Sequence, residues 1–308
     1  MIRRFRRTPA LIAFAVALAL GGAARGQDKG TLNPEPLPPL ANPNDPGLAA
    51  KELFGRALTP ADVQARSIGF YSRGCLAGAK ALPVDGETWQ VMRLSRDRNW
   101  GNPALLAFLE RFSKKAAAAG VWPGILVGDM SQPRGGPMLT GHASHQIGLD
   151  ADIWLTPMPD RRLTRAEREE MSAVNMVTED GLSVDPAHWT PRQAGIIKAA
   201  AEEPEVERIF VNAAIKKALC QAYKGEAWMT KVRPYWGHNY HFHVRLACPK
   251  GEEQCRPQDP VPPGDGCDKS LAWWFTDEAL HPTKSTTPAK PLTLAQLPPA
   301  CRQVLLEK

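Results

Sequence analysis

The chain has 308 residues, a formal charge of +6, six cysteines and seven histidines. Five arginines and no acid fall in residues 1–26, so without them the charge drops to +1. A near-neutral body with no lysine–arginine run excludes a protein that holds nucleic acid through a basic surface.

Residues 1–26 read as a secretory signal peptide. Arg3, Arg4, Arg6 and Arg7 form a basic start, Ala10 to Leu20 is an apolar run, and Ala24 and Gly26 suit cleavage before Gln27. The run is too short to span a bilayer comfortably and no later segment could, so no membrane contact is expected after cleavage. Residues 27–48, rich in Pro, Asn and Gly, read as an extended leader. Residues 49–280 form a single domain, and residues 281–308 a Pro-rich tail that still carries Cys301. A cysteine so near the end predicts that the tail is stapled back to the body.

Within the domain, Asn102-Pro103 predicts a helix start, with Leu105, Leu106, Leu109 and Phe112 on one face and Gly120 as its end. Ile125 to Val127 reads as a short buried strand. Thr164-x-x-Glu167 and Thr190-Pro-x-Gln193 are capping-box signatures. Val206 to Val211 reads as a strand, and Asn212 as the cap of a helix to about Tyr223. Helices mixed with hairpin-like strand returns predict an α+β domain around a small central antiparallel sheet. An even number of cysteines in an exported chain predicts disulfides, and the lack of a CxxC pair argues against a zinc–cysteine site.

Five of the seven histidines fall in two segments, His142-Ala-Ser-His145-Gln-Ile-Gly-Leu-Asp150-Ala-Asp152 and His238-Asn-Tyr-His241-Phe-His243. Both alternate. Leu149, Ala151, Ile153 and Leu155 share one face, with Asp150, Asp152 and Trp154 opposite; Phe242, Val244 and Leu246 share another, with His241, His243 and Arg245 opposite. If the strands are neighbours, Asp152 or Asp150 faces His243, while His145 reaches in from the preceding loop. Two imidazoles and one carboxylate with an open fourth position make a catalytic zinc site. A non-haem iron triad uses the same ligand types, but needs a closer histidine–carboxylate spacing and two open positions. His188 and His281, beside Trp189 and Pro282, are expected to be exposed or capping.

These residues resemble the penicillin-insensitive murein endopeptidases, within the wider group of lysostaphin-type and D-Ala-D-Ala zinc peptidases that share H-x6-D followed by H-x-H. The likeness runs from Ser72-Arg-Gly-Cys75 and Gln90-Val-Met-Arg93 through Gly128-Asp129-Met130 and Ile209-Phe-Val-Asn212 to Cys248-Pro and Gly264-Asp-Gly-Cys267. The resemblance implies zinc ligands His145, Asp152 and His243, a catalytic His241 assisted by His238, and disulfides Cys75–Cys301, Cys220–Cys267 and Cys248–Cys255. It further implies a periplasmic enzyme cutting the D-alanyl–meso-diaminopimelyl cross-link of peptidoglycan. A second, weaker metal position in the family would use His142 and Asp180 with a later histidine. Here that position is Ser183, a poor ligand, so one zinc is expected. Two rival readings use the same residues: a zinc D,D-carboxypeptidase or D-Ala-D-Ala dipeptidase, and a non-catalytic zinc- or wall-binding protein.

Overall fold

The computed structural model describes residues 29–283 and 290–307; the expected signal segment lies outside them. Residues 29–48 contain no helix or strand. There follow α1 (Ala50–Phe54), β1 (Arg66–Phe70), β2 (Arg73–Ala77), β3 (Lys80–Ala81), β4 (Trp89–Val91), β5 (Trp100–Gly101) and α2 (Pro103–Ala118). The middle of the chain supplies β6 (Ile125–Val127), β7 (Asp150–Trp154), α3 (Arg165–Glu170), α4 (Pro191–Ala201), β8 (Val206–Val211) and α5 (Ala213–Tyr223). The last part gives β9 (Val232–Pro234), β10 (His241–Leu246), α6 (Lys269–Trp273), α7 (Asp277–Leu280) and α8 (Ala300–Leu306). Among the described residues no helix is long and apolar enough to cross a membrane.

The α+β class holds, but the sheet is neither small nor wholly antiparallel. Six strands pair in the order β4-β6-β7-β10-β8-β9. The middle of this sheet is antiparallel, whereas β4–β6 and β8–β9 are parallel. Each parallel pair is joined across a helix, α2 or α5, as parallel strands require. Strands of three residues, one ending in Pro234, show no alternation from which those crossovers could be read.

Local chemistry sets the helices. Asn102 accepts from Ala104 N at 2.9 Å to cap α2, and Pro103 takes the first position, where its missing N–H costs nothing. Leu105, Phe108, Leu109, Phe112 and Ala116 are the apolar residues that α2 buries; Leu106 is only half-buried. Both expected capping boxes form, at Thr164/Glu167 and Thr190/Gln193. Asn212 caps α5 by accepting from Ala214 N.

The alternation of β7 and β10 sorts their side chains. Ala151, Ile153, Phe242 and Val244 are fully buried in the main core. Asp150, Asp152, His241, His243 and Arg245 turn to the other face, yet are no more than 7% exposed. Polar groups buried this deeply need partners or a bound ion, since each unpaired one costs kilocalories.

A smaller core gathers Phe54, Ile68, Leu297 and Val304 around the Cys75–Cys301 disulfide, which ties α8 to β2. Arg134 reinforces this tie by donating through Nη1 to the carbonyls of Val304 and Leu305. Cys220–Cys267 and Cys248–Cys255 are also bonded, the same pairs the resemblance implies. Cys75–Cys301 joins residues 226 apart and closes much the longest loop. On loop-closure entropy its removal should cost about 5 kcal/mol, against about 2–4 for the shorter ones. Denaturant melts of Cys75→Ser/Cys301→Ser set against Cys248→Ser/Cys255→Ser measure this. A smaller loss for the long loop would contradict the ranking.

Candidate metal centre

The centre is built on β7 and β10, which pair so that His243 lies directly opposite Asp152 and Arg245 opposite Asp150. His145 comes from the loop ahead of β7. Its backbone is left-handed (φ 66°), and its N–H donates to Asp150 Oδ2 at 3.0 Å. Gln146 clamps this loop to the β1–β2 turn, donating through Nε2 to Ser72 O and accepting from Gly74 N. Gly148 (φ 73°) closes it where a Cβ would lie 2.5 Å from a Leu76 methyl and 2.8 Å from Asn102 N, so no larger residue fits.

Asp152 is the hub. Its Oδ1 lies 3.5 Å from His145 Nε2, 3.5 Å from His241 Nε2 and 3.4 Å from His243 Nδ1. Its Oδ2 lies 3.5 Å from His142 Nε2. Among the described residues, His142, His145 and Asp152 form a group whose ligand atoms all lie within 4.8 Å of one another. That compact trio has His142 where sequence reasoning put His243.

The two histidines are nevertheless not equivalent. His142 Nε2 is held 2.9 Å from Asp129 Oδ2, and its ring is partly exposed. His243 is buried, and its Nε2 donates to Asp150 Oδ1 at 2.8 Å. A neutral imidazole that donates from Nε2 has its lone pair on Nδ1, the atom facing Asp152. Both ring nitrogens of His145, Oδ1 of Asp152 and Nδ1 of His241 are buried without a hydrogen-bond partner among the described residues. Such orphans are rare in a folded protein, and a ring of nitrogen and carboxylate donors left open this way fits a borderline cation such as zinc.

The family model of the penicillin-insensitive murein endopeptidases matches residues 67–306. A Haemophilus influenzae protein named penicillin-insensitive murein endopeptidase is 45% identical over 251 residues, covering 81% of this chain and 86% of that protein. Proteins of the same name from Klebsiella pneumoniae and Citrobacter koseri are 44% and 43% identical, covering 85% and 80% of this chain and 93% and 89% of theirs. The chain belongs to the penicillin-insensitive murein endopeptidase family. It is a peptidase acting on peptidoglycan.

In this murein endopeptidase Asp150 supports the site. Its Oδ1 accepts from His243 Nε2 and Arg245 Nε, and its Oδ2 from the His145 N–H, so one carboxylate fixes two of the expected ligands. Spacing left Asp150 competing with Asp152, and the resemblance chose Asp152; neither revealed that Asp150 accepts from His243, Arg245 and the His145 N–H. The second residue missed is Asp129, after β6, whose Oδ2 lies within 3.0 Å of Arg96, Arg98 and His142. The sequence signal for it was only its place in Gly128-Asp129-Met130.

His238 and His241 stand beside the cluster, their ring centroids 4.8 Å apart. His238 is left-handed (φ 52°) and donates from Nδ1 to Trp236 O at 2.8 Å, leaving Nε2 as an acceptor. Asp180 is not in the cluster: its Oδ1 accepts from Thr178 Oγ1 and Leu182 N in its own exposed turn. The Ser183 hydroxyl meets Thr178 Oγ1 in that turn. His188 pairs with Asp185, and His281 lies near Asp277 on the surface.

Burial depresses the pKa of His241 to about 3, against the pull of Asp152, and that of His243 to about 4, against Asp150. Burial also lowers His238. It opposes ionisation of Asp152, but His241, His145 and His142 outweigh it and hold that carboxyl well below its usual range. For His142 burial likewise lowers, yet Asp152 and Asp129 win and raise it. The three depressed imidazoles outweigh this single opposite case. Between about pH 6.5, where an unfolded histidine protonates, and pH 4, the unfolded metal-free endopeptidase therefore takes up protons that the folded one refuses. Stability should be full above that window and fall as pH drops through it. Melts of metal-free protein at pH 7.5, 5.5 and 4.5 test this, and an unchanged Tm would mean these imidazoles are not held neutral.

Proposed function

We propose that this endopeptidase depends on one zinc ion held by His145, Asp152 and His243, and that it hydrolyses the D-alanyl–meso-diaminopimelyl cross-link of peptidoglycan in the periplasm. The observation that carries the metal is the ring of buried, unpartnered ligand atoms around Asp152. Family membership, the relatives' names and the arginine-led N-terminus support the substrate and the compartment.

When bound there, zinc would polarise the scissile carbonyl and lower the pKa of water from 15.7 to about 7. The protein's own part is orientation and proton movement. Asp150 holds His243 with Nδ1 inward, and the Gln146 clamp holds His145. A water's proton must be removed and returned to the leaving amine, with His241 at the centre and His238 beside it. His238, with its Nδ1–H fixed on Trp236 O, receives or relays a proton at Nε2. His142, tied to Asp129, stays outside the ligand set. With Asp180 turned away and Ser183 in place of a histidine, a second zinc has too few ligands. The cluster contains no serine for a β-lactam to acylate, which accounts for insensitivity to penicillin.

Chelation tests the metal claim. Protein dialysed against a chelator should lose activity and recover it with close to one equivalent of zinc. Full activity at negligible metal content would overturn the dependence, and two tightly held equivalents would overturn the single site.

A further inference from the structure

Beside the metal cluster lies a cavity of about 120 Å³, whose lining includes Asp129, Asp152, His142 and His241 together with Arg93, Arg96, Arg98 and Tyr240. Three arginines bordering one small cavity invite a reading as an anion site, but they are not equally free. Arg93 is buried and donates from both Nη atoms to the carbonyls of Arg168 and Met171. Arg98 spends Nη1 on Asp129 and Nη2 on Thr140. Arg96 uses only Nη1, on Asp129 Oδ2 at 3.0 Å, and its side chain is 22% exposed. Its Nε and Nη2 have no partner among the described residues, nor has the Tyr240 hydroxyl.

Asp129 takes Arg96, Arg98 and His142 on a single oxygen, so its one charge is shared among three partners. Arg96 is connected to the centre by three contacts, of 3.0 Å to Asp129, 2.9 Å from there to His142 and 3.5 Å on to Asp152. Arg96 also lines the same small cavity as Asp152 and His241, so an anionic group it binds there belongs to a molecule that reaches the centre. In a D-alanyl–meso-diaminopimelyl cross-link, the carbon attached to the scissile nitrogen bears a free carboxylate. A planar guanidinium with two unused donors matches a carboxylate's geometry.

We propose, resting on the substrate reading above, that Arg96, assisted by the Tyr240 hydroxyl, binds that carboxylate and makes the enzyme selective for cross-links in which it is free. Asp129, itself anchored by Arg98, holds Arg96 in place. A cross-link carrying a carboxamide at that carbon presents an N–H₂ in place of an oxygen acceptor and loses the charge, so it should be cut poorly.

The test compares two synthetic cross-linked dimers that differ only in carboxylate or carboxamide at that carbon. The wild-type zinc enzyme should prefer the carboxylate by about 10–100-fold in kcat/KM, the worth of one charge-assisted contact. Arg96→Gln should bring the two substrates within about threefold, chiefly by raising KM for the carboxylate dimer, with zinc content as in wild type. Arg96→Lys, which keeps the charge but not the fork, should recover part of the preference. Tyr240→Phe should lower it in part, and serves if Arg96→Gln does not fold. Equal cutting of both dimers by wild type, or an undiminished preference in Arg96→Gln and Tyr240→Phe, would overturn the subsite while leaving the endopeptidase reading intact. If wild type cut neither dimer, the substrate reading itself would fall, and the subsite with it.

Discussion

Alanine at His145, Asp152 or His243 should remove zinc and activity together. A three-ligand site that loses one member keeps only two, which do not hold zinc against a chelating buffer, and Asp152 touches every other member of the group. The Asp152 substitution has a second cost: it removes the carboxylate that faces the buried His241 and His145 rings, leaving His145 only the contact of its N–H with Asp150. Asp150→Asn should behave differently. It keeps all three ligands but weakens the acceptors that orient His243 and His145, so zinc affinity should fall about 10–100-fold, the usual loss for such supporting residues. Zinc titrations of the four variants separate the cases. Affinity close to wild type in the His145, Asp152 and His243 variants would remove the ligand assignment. Affinity lost completely in Asp150→Asn would make Asp150 a ligand in its own right.

His241→Ala should retain zinc and lose turnover by about 10²–10⁴-fold, the contribution expected of a positioned acid–base group. His241 stands as near Asp152 Oδ1 as the expected ligand His145 does, which is what makes this informative. His241 Nε2 lies 3.5 Å from Asp152 Oδ1 while its Nδ1 is buried without a partner, so a metal count distinguishes a ligand from a proton carrier. Zinc lost along with activity would enlarge the ligand set. Activity retained near wild type would shift the proton-carrying role to His238, whose Nε2 is free to accept.

Much of the site was legible in the sequence because strands impose a period of two. Alternation around Asp152 and His243 placed them on one face, and the observed register sets them opposite each other. Helix starts were legible for the same local reason: Asn102, Thr164, Thr190 and Asn212 each cap the helix expected of them. The edge strands β4 and β9 were not legible, since Trp-Gln-Val and Val-Arg-Pro lack the unbroken apolar run that marks Ile125–Val127 and are too short to show alternation. Nor was the work of Asp150, Asp129 and Arg96, because that depends on which way a side chain leaves the sheet and what waits 3 Å away. His142 illustrates the same limit. It sits in the motif and in the compact trio, yet the partner that defines it, Asp129, lies 13 residues earlier, just past the end of β6.

The most direct measurement is product analysis on purified cross-linked muropeptide dimers, with the zinc content of the protein counted in the same preparation. The account predicts loss of dimers and a matching rise in monomers, with a new C-terminal D-alanine carboxylate and a freed amine on the diaminopimelate carbon. It also predicts that penicillin leaves this unchanged and that a chelator abolishes it. Dimers left intact by zinc-loaded enzyme, or trimmed only at a free D-alanine terminus, would contradict it.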